Sequence, residues 1–144
     1  MNIGIVGHEE SKFTEAGMNS AIRSIDYICK MADSPRIVSG HCHLGGIDIW
    51  AENYADIHGL PKLIFPPKNK SWATGYKPRN IQIAEHSDVV HIIVVDKYPP
   101  GWTGMTFRLC YHCKSTNHIK SGGCWTGHYA RRFGKEVYWH VIPN

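Results

Sequence analysis

The chain has 144 residues, of which 42% are hydrophobic and 19% are charged. This length and composition are typical of one globular domain with its own apolar core. No apolar run approaches the roughly 20 residues that a membrane span needs, so we expect no membrane-spanning segment. The formal net charge of +4 suits an anionic small molecule. It is low for a dedicated nucleic-acid binder, so we expect no nucleic-acid partner and no membrane partner.

The N-terminus begins with an apolar, strand-like segment and lacks the basic region and cleavage site of a secretory signal. We therefore expect a cytoplasmic protein. In that compartment the five cysteines indicate metal or redox chemistry rather than a disulfide framework. The oligomeric state stays open, with a homo-oligomer as one option.

Strands and helices alternate in the first part of the chain. The short apolar run from Ile3 to Val6, closed by Gly7, predicts a strand that is buried on both faces. Thr14 is a suitable helix cap, and apolar residues follow it at helical spacing as far as Cys29. The residues from Arg36 to Ser39 then predict a second strand.

The next segment is rich in glycine and separates the second strand from a helix. The residues from Gly40 to Gly46 contain too much glycine for regular structure. A helical pattern starts at Ile47 and ends at Gly59. A third strand is predicted from Lys62 to Phe65, followed by a polar loop from Pro66 to Tyr76.

The last part of the chain continues the alternation with one interruption. A short helix from Pro78 to His86 precedes the strongest strand signal, Val89 to Val95. Residues 98–124 form a Cys/His-rich insertion without periodicity. A helix from Trp125 to Phe133 and a strand from Glu136 to Val141 follow.

This order predicts a Rossmann-like α/β fold. We expect residues 1–144 to form a single domain in three layers, with a parallel sheet of about five strands and helices on both faces. Ligands of such sheets bind at the carboxyl ends of the strands. The loops after Ser39, after Val95 and near Gly122 are expected to lie at that edge.

The glycine-rich loop is the first candidate binding motif. It has the pattern Ser-Gly-x-x-x-x-Gly-Gly-x-Asp from Ser39 to Asp48, between a strand and a helix. Glycines let the backbone approach a ligand, and the free N–H groups of a helix N-terminus attract phosphate. The simpler interpretation is a tight turn that needs positive φ. Asp48 either complements the helix dipole or accepts a hydrogen bond from a ribose hydroxyl.

A second candidate motif, Gly-Tyr-Lys-Pro-Arg-Asn, occurs at the start of the third helix. Arg79 suits bidentate contact with a phosphate, and Asn80 can recognise a base edge or a hydroxyl. Lys77 adds a second cation. The simpler interpretation is a solvated surface turn, which the position near the same sheet edge disfavours.

These motifs occur in the order seen in a known group of proteins. The glycine-rich loop, then Gly-Tyr-Lys-Pro-Arg-Asn-x-x-Ile-Ala-x-x-Ser-Asp, then Ser-Gly-Gly-x-x-Thr at Ser121 to Thr126, resembles the SLOG superfamily. That superfamily includes the Lonely Guy phosphoribohydrolases and the DNA-processing protein DprA. The resemblance covers nearly the whole chain except about residues 98–120. It implies a site for a nucleotide or a nucleotide-derived ligand.

Motifs and resemblance together assign a set of residues to that ligand. They are Gly7, His8, Ser39, Gly40, His43, Gly45, Gly46, Asp48, Lys77, Arg79, Asn80, Gly122, Gly123 and Thr126.

The chain departs from the hydrolases of the superfamily at their last motif. Those enzymes pair a glutamate with an earlier arginine to cleave an N-glycosidic bond, and Arg79 is similar to that arginine. Trp125 stands where a glycine would be, and Tyr129 stands where the glutamate would be. If the chain is an enzyme, Asp48, Glu52 or Glu85 would have to supply the carboxylate for a nucleotide N-glycosidase.

The insertion contains the sharpest local signal. Its pattern, Cys110-x-x-Cys113-x4-His118-x5-Cys124, is a complete tetrahedral set for a structural zinc ion and is close to the zinc-knuckle spacing. Reduced surface cysteines with a solvated histidine are the simpler interpretation. The sequence leaves open that a different residue replaces one of these ligands. The candidates are His112, His128 and Cys42.

Cys124 also has a competing interpretation. It is predicted at the start of the last helix, where the helix dipole would lower its pKa and make it a nucleophile. Zinc ligation and free thiolate chemistry exclude one another.

Three hypotheses for the function follow. The first is a nucleotide-binding module without turnover, which acts as a sensor or sequesters a signalling nucleotide. The second is a nucleoside 5'-monophosphate N-glycosidase. The third is a zinc-knuckle RNA binder, for which Arg108, Lys114 and Lys120 supply part of the basic face that is needed.

Overall fold

The apolar segments form the five strands of one parallel sheet in a computed structural model that describes residues 1–144. The strands are β1 (Asn2–Gly7), β2 (Arg36–Ser39), β3 (Lys62–Ile64), β4 (Val89–Val95) and β5 (Glu136–Ile142). Their order across the sheet is β3-β2-β1-β4-β5. All neighbouring pairs are parallel, which confirms the predicted α/β class.

Four helices connect the strands. They are α1 (Glu15–Met31), α2 (Ile47–Ile57), α3 (Lys77–His86) and α4 (Gly122–Arg132). The Thr14 hydroxyl caps α1 by accepting a hydrogen bond from the Gly17 N–H at 2.9 Å. None of the helices combines the length and the apolar character that a membrane crossing requires.

Two helical segments differ from the sequence predictions. The loop predicted from Pro66 to Tyr76 ends in a π-helical turn, Trp72–Tyr76, which leads into α3. The last helix begins at Gly122, earlier than the predicted Trp125. The reason is the Ser121 side chain, which caps the helix by accepting a hydrogen bond from the Gly123 N–H at 3.1 Å.

Both faces of the sheet are covered, which gives three layers. Side chains of β4 alternate between the faces, so that Ile93 packs with Ala21 and Ile25 of α1 and with α2. On the other face Ile92 packs with the residues of α3 and α4. The two clusters together form the core on which the loops at the sheet edge rest.

The strand order fixes where a ligand site can form. From β1 the chain first proceeds outward to β2 and β3, and then crosses back to β4 and β5 on the other side of β1. The loops that leave the carboxyl ends of β1 and β4 therefore diverge and leave a crevice between them. The insertion follows β4 at this edge and is attached to it by a hydrogen bond from the Ile119 N–H to the Val95 carbonyl, at 3.1 Å.

Candidate functional site

A cavity of about 540 Å³ lies at this crevice, within the range of small-molecule sites. Its walls come from the loop after β1, the glycine-rich loop, the starts of α2, α3 and α4, and the insertion. The predicted ligand residues that line it are Gly7, His8, His43, Asp48, Arg79, Asn80, Gly122, Gly123 and Thr126. The structure therefore brings residues from all of the predicted motifs to one place.

The remaining predicted ligand residues lie outside the cavity lining. They are Ser39, Gly40, Gly45, Gly46 and Lys77. Lys77 is exposed at the start of α3. Ser39 is fully buried at the end of β2, beneath the glycine-rich loop.

Gly46 shows why the loop needs glycine. Its φ is +84°, and a Cβ atom there would lie 2.4 Å from the His8 carbonyl oxygen. The adjacent Ile47 N–H donates a hydrogen bond to that same carbonyl at 3.1 Å. The close approach is thus between the start of α2 and the loop after β1, which positions both against the cavity.

His8 joins three elements of the cavity wall. Its Nδ1 accepts a hydrogen bond from the Val95 N–H at 3.1 Å, and its Nε2 donates to the Lys120 carbonyl at 2.9 Å. These partners define the neutral Nε2–H tautomer. Burial lowers the pKa of His8 to about 3, so the ring stays neutral at physiological pH. Both ring nitrogens are occupied, and only the ring surface remains for a ligand.

Arg79 and Asp48 form the charged part of the cavity. Arg79 donates through Nη1 to the Gly40 carbonyl and through Nε to the Asn80 side-chain oxygen, the latter at 2.8 Å. Its Nη1 lies 4.0 Å from Oδ2 of Asp48, which also accepts a hydrogen bond from the Cys42 N–H at 3.1 Å. Burial raises the pKa of Asp48 to about 6, although the Arg79 guanidinium opposes that rise.

Glu52, the other predicted carboxylate, does not line the cavity. One of its oxygens lies 2.6 Å from Nδ1 of His41, and the other accepts a hydrogen bond from the Ser39 hydroxyl at 2.7 Å. Glu52 therefore holds the base of the glycine-rich loop. Its partners leave it no direct path to a bound ligand.

The sequence did not point to the aromatic wall of the cavity. Tyr98 and Trp102 of the insertion stack with ring centroids 5.4 Å apart, and the Lys12 ammonium lies 4.8 Å from the centroid of the Trp102 ring. The Lys120 ammonium lies 5.3 Å from the centroid of the Phe107 ring. The number of aromatic residues in the insertion is the only sequence feature that could have indicated this wall, because the residues of the insertion follow no periodic pattern.

A metal-binding group lies beside the cavity. The ligand atoms of Cys110, Cys113, His118 and Cys124 lie within 4.8 Å of one another. A tetrahedral site with metal–sulfur bonds of about 2.3 Å has ligand–ligand distances of about 3.8 Å, so a small contraction closes the group around an ion. The antiparallel bridge between Cys110 and Ser115 shapes the turn that carries the first two cysteines. The group can hold a metal ion.

Other side chains support the ligands rather than replacing them. The Trp139 indole N–H donates to Sγ of Cys124 at 3.4 Å, and Nε2 of His128 lies 3.3 Å from Sγ of Cys113. The group does not include His112, His128 or Cys42. Such outer contacts orient the ligands of metal sites.

Cys124 does not have the surroundings of a nucleophile. Its side chain is fully buried, and burial raises the pKa of its thiol. Although Cys124 lies in the first turn of α4, the helix dipole does not overcome this burial.

The metal-binding group and the cavity share one short segment. Between His118 and Cys124, the chain contributes Lys120, Ser121, Gly122 and Gly123 to the cavity wall. The position of this part of the cavity wall therefore depends on how the side chains of His118 and Cys124 are held.

No family model, curated protein or solved structure matches the chain. The fold and the site define the class of protein directly. It is a parallel, Rossmann-like α/β domain with a cavity at the point where the strand order reverses and a Cys3His group that can hold a metal ion.

Proposed function

We propose that the chain binds a nucleotide or a nucleotide-derived phosphorylated ligand in the cavity and acts as a sensor or sequestering module. One observation carries this proposal. The first turns of α2 and α4, Arg79 and an aromatic wall all border a single cavity of about 540 Å³. Membership of the SLOG superfamily, which the motifs suggest, is part of the same proposal.

The phosphate would bind at the helix N-termini. Asp48 in α2 and Gly123 in α4 line the cavity, so both helices begin at its wall. Helix N-termini carry partial positive charge and attract phosphate. Arg79 adds a full charge in a side chain that is only 11% exposed, where a charge-assisted hydrogen bond is strong.

The base would bind at the aromatic wall. The stacked pair of Tyr98 and Trp102 offers a flat apolar surface, and Trp72 lines the cavity from the side of α3. Aromatic rings stack on every nucleobase with little selectivity. A ligand with a phosphate at one end and an aromatic ring at the other matches this division of the cavity.

The metal that we propose for the Cys3His group is zinc in a structural role. Three thiolates and one imidazole form a closed tetrahedral set, which leaves no coordination position for water or substrate. His118 and Cys124 would hold the cavity wall between them through this ion. The ion itself would take no part in ligand chemistry.

Thermal-shift measurements with nucleoside mono-, di- and triphosphates and cyclic nucleotides test the proposal. Since a ligand that binds only the native state stabilises it by mass action, we expect a concentration-dependent rise in melting temperature with at least one nucleotide. Absence of any shift across the whole panel would contradict the proposed function.

An N-glycosidase is the second candidate, and Asp48 favours it. A carboxyl group whose pKa is about 6 can act as an acid or a base near neutral pH. Glu52, however, is engaged by Ser39 and His41, and Glu9, the other carboxylate that lines the cavity, is paired with Lys12. We expect incubation with adenosine or cytidine 5'-monophosphate to release little free base in a chromatographic assay. Rapid release that requires Arg79 would favour the enzyme instead.

A further inference from the structure

The charges of the chain are strongly segregated. No acidic residue occurs between Lys97 and Lys135, and the rest of the chain contains all twelve. The basic residues of this stretch are Lys97, Arg108, Lys114, Lys120, Arg131, Arg132 and Lys135. A modest overall charge thus conceals a strongly basic region around the insertion and α4.

Several of these cations gather around the metal-binding group. The Lys120 ammonium lies 5.5 Å from the centroid of the Tyr111 ring, which in turn contacts the His112 ring at 4.5 Å. On the other side His128 contacts both Cys113 and the Trp139 ring. These contacts make one continuous surface from the insertion to α4.

The same surface extends to the end of α4. The Arg131 guanidinium lies 4.7 Å from the centroid of the Trp139 ring, and Arg131 itself is exposed. Lys114, between Cys113 and Ser115, is exposed as well. We call this surface the metal-side face and define it by Tyr111, His112, Lys114, His128 and Arg131.

The metal-side face also presents an aromatic ring to solvent. Tyr111 is 52% exposed although it is large and partly apolar. An exposed ring among cations, with no carboxylate nearby in the sequence, does not suit an apolar partner or a cationic one. It suits a polyanion that carries flat rings of its own.

We propose that the metal-side face binds a single-stranded nucleic acid. The exposed cations contact its phosphates, and Tyr111 stacks against a base. The face adjoins the cavity at Lys120, but none of its defining residues lines the cavity, so the proposal does not depend on the proposed nucleotide ligand. The expectation of no nucleic-acid partner came from the small net charge of the whole chain. That expectation assumes an even spread of charge, which the segregation of the charges contradicts.

A pair of charge-reversal variants tests the contribution of the cations. Binding of the full-length, metal-containing protein to a fluorescently labelled oligouridylate is measured by anisotropy at several salt concentrations. We expect Lys114→Glu with Arg131→Glu to weaken binding by about tenfold or more and to reduce the salt dependence. The matched control, Arg23→Glu with Arg36→Glu, makes the same charge change at exposed positions on α1 and β2, away from this face. Equal loss in both variants, or no loss in the first, would overturn the proposal.

Tyr111 and the cavity provide two further tests. Tyr111→Ala is expected to weaken oligouridylate binding several-fold, whereas Tyr111→Phe retains the ring and the affinity. An abasic oligonucleotide should bind more weakly than oligouridylate, and equal binding would indicate a general polyanion surface instead. Saturating adenosine 5'-monophosphate should not displace the strand. Displacement would place the strand in the cavity and overturn the separate site.

Discussion

Arg79 is held at the cavity wall by its hydrogen bonds to Gly40 and Asn80. We predict that Arg79→Ala weakens the binding of adenosine 5'-monophosphate by about 1.5–3 kcal/mol, because it removes a charge-assisted contact to phosphate. Titration calorimetry measures the change. Arg36→Ala removes an exposed arginine far from the cavity and is the matched control.

Circular dichroism of both arginine variants guards against misfolding. Unchanged affinity in folded Arg79→Ala would show that phosphate does not bind at this arginine.

Asp48 gives the stability of the chain a distinctive pH dependence. Its pKa is raised from 3.8 to about 6 by burial, so the native state holds this proton more tightly than the unfolded state does. Its contribution to the free energy of unfolding therefore falls as the pH rises from about 4 to about 6, by on the order of 3 kcal/mol in total. We predict that Asp48→Asn is more stable than the parent at pH 7 and that this difference vanishes near pH 4.

Denaturant unfolding of the two proteins at a series of pH values gives this difference directly. Because the other titrating groups are the same in both proteins, their contributions cancel in the difference between the two free energies of unfolding. A parent protein that is more stable than Asp48→Asn at pH 7 would show that Arg79 stabilises the ionised carboxylate more than burial disfavours it.

The insertion between β4 and α4 carries three of the four residues of the metal-binding group, Cys110, Cys113 and His118. We predict that the purified protein contains about one equivalent of zinc and that Cys113→Ser loses it, since a long loop without periodicity needs something other than a core to fix it. Loss of the ion should also expose the insertion to protease. Elemental analysis and limited proteolysis measure both effects.

Cys42→Ser is the control for this variant. Cys42 lies in the cavity wall and outside the metal-binding group, so its replacement should leave the metal content unchanged. Metal-free protein with a protease-resistant insertion would contradict a structural role for zinc.

At the scale of elements the sequence was informative where burial dominates. β4 is apolar at every position except His91, and such a run is recognisable without knowledge of its neighbours. The sequence predicts a later start for α4 than the structure has, because Gly122 and Gly123 disfavour a helix locally, whereas the Ser121 cap overrides that preference. The metal-binding group was predictable because its spacing is short.

The features of the site that could not be predicted from the sequence depend on tertiary packing. Asp48 and Glu52 are four residues apart and share one face of α2. The sequence could not tell that Asp48 borders the cavity while Glu52 binds Ser39 and His41 beneath it. The same holds for Trp102, whose position over the cavity is set by the path of the insertion.

At the scale of the whole molecule the metal and the ligand should be coupled. Removal of the metal frees His118 and Cys124, between which lies the cavity wall from Lys120 to Gly123. We predict that the chelated protein binds adenosine 5'-monophosphate more weakly and that the nucleotide in turn raises metal affinity by the same factor, as linkage requires. Calorimetry with and without metal tests this reciprocity. Equal nucleotide affinity in both states would show that the wall holds its shape without the ion.

The neutral imidazole of His8 also makes the joint between β1, β4 and the insertion sensitive to acid. Protonation would remove the acceptor for the Val95 N–H, and the pKa of about 3 shows how strongly the folded chain resists it. An unfolded chain takes up this proton near pH 6.5, so the stabilisation is complete above that pH and is lost as the pH falls towards 3, by about 1.4 kcal/mol per pH unit. Acidification thus acts on Asp48 and His8 in opposite directions. Near pH 5 the folded chain therefore still keeps His8 neutral and this joint intact, but its free energy of unfolding is lower by about 2 kcal/mol, so mild acid weakens the joint by favouring its opening rather than by protonating the ring in place.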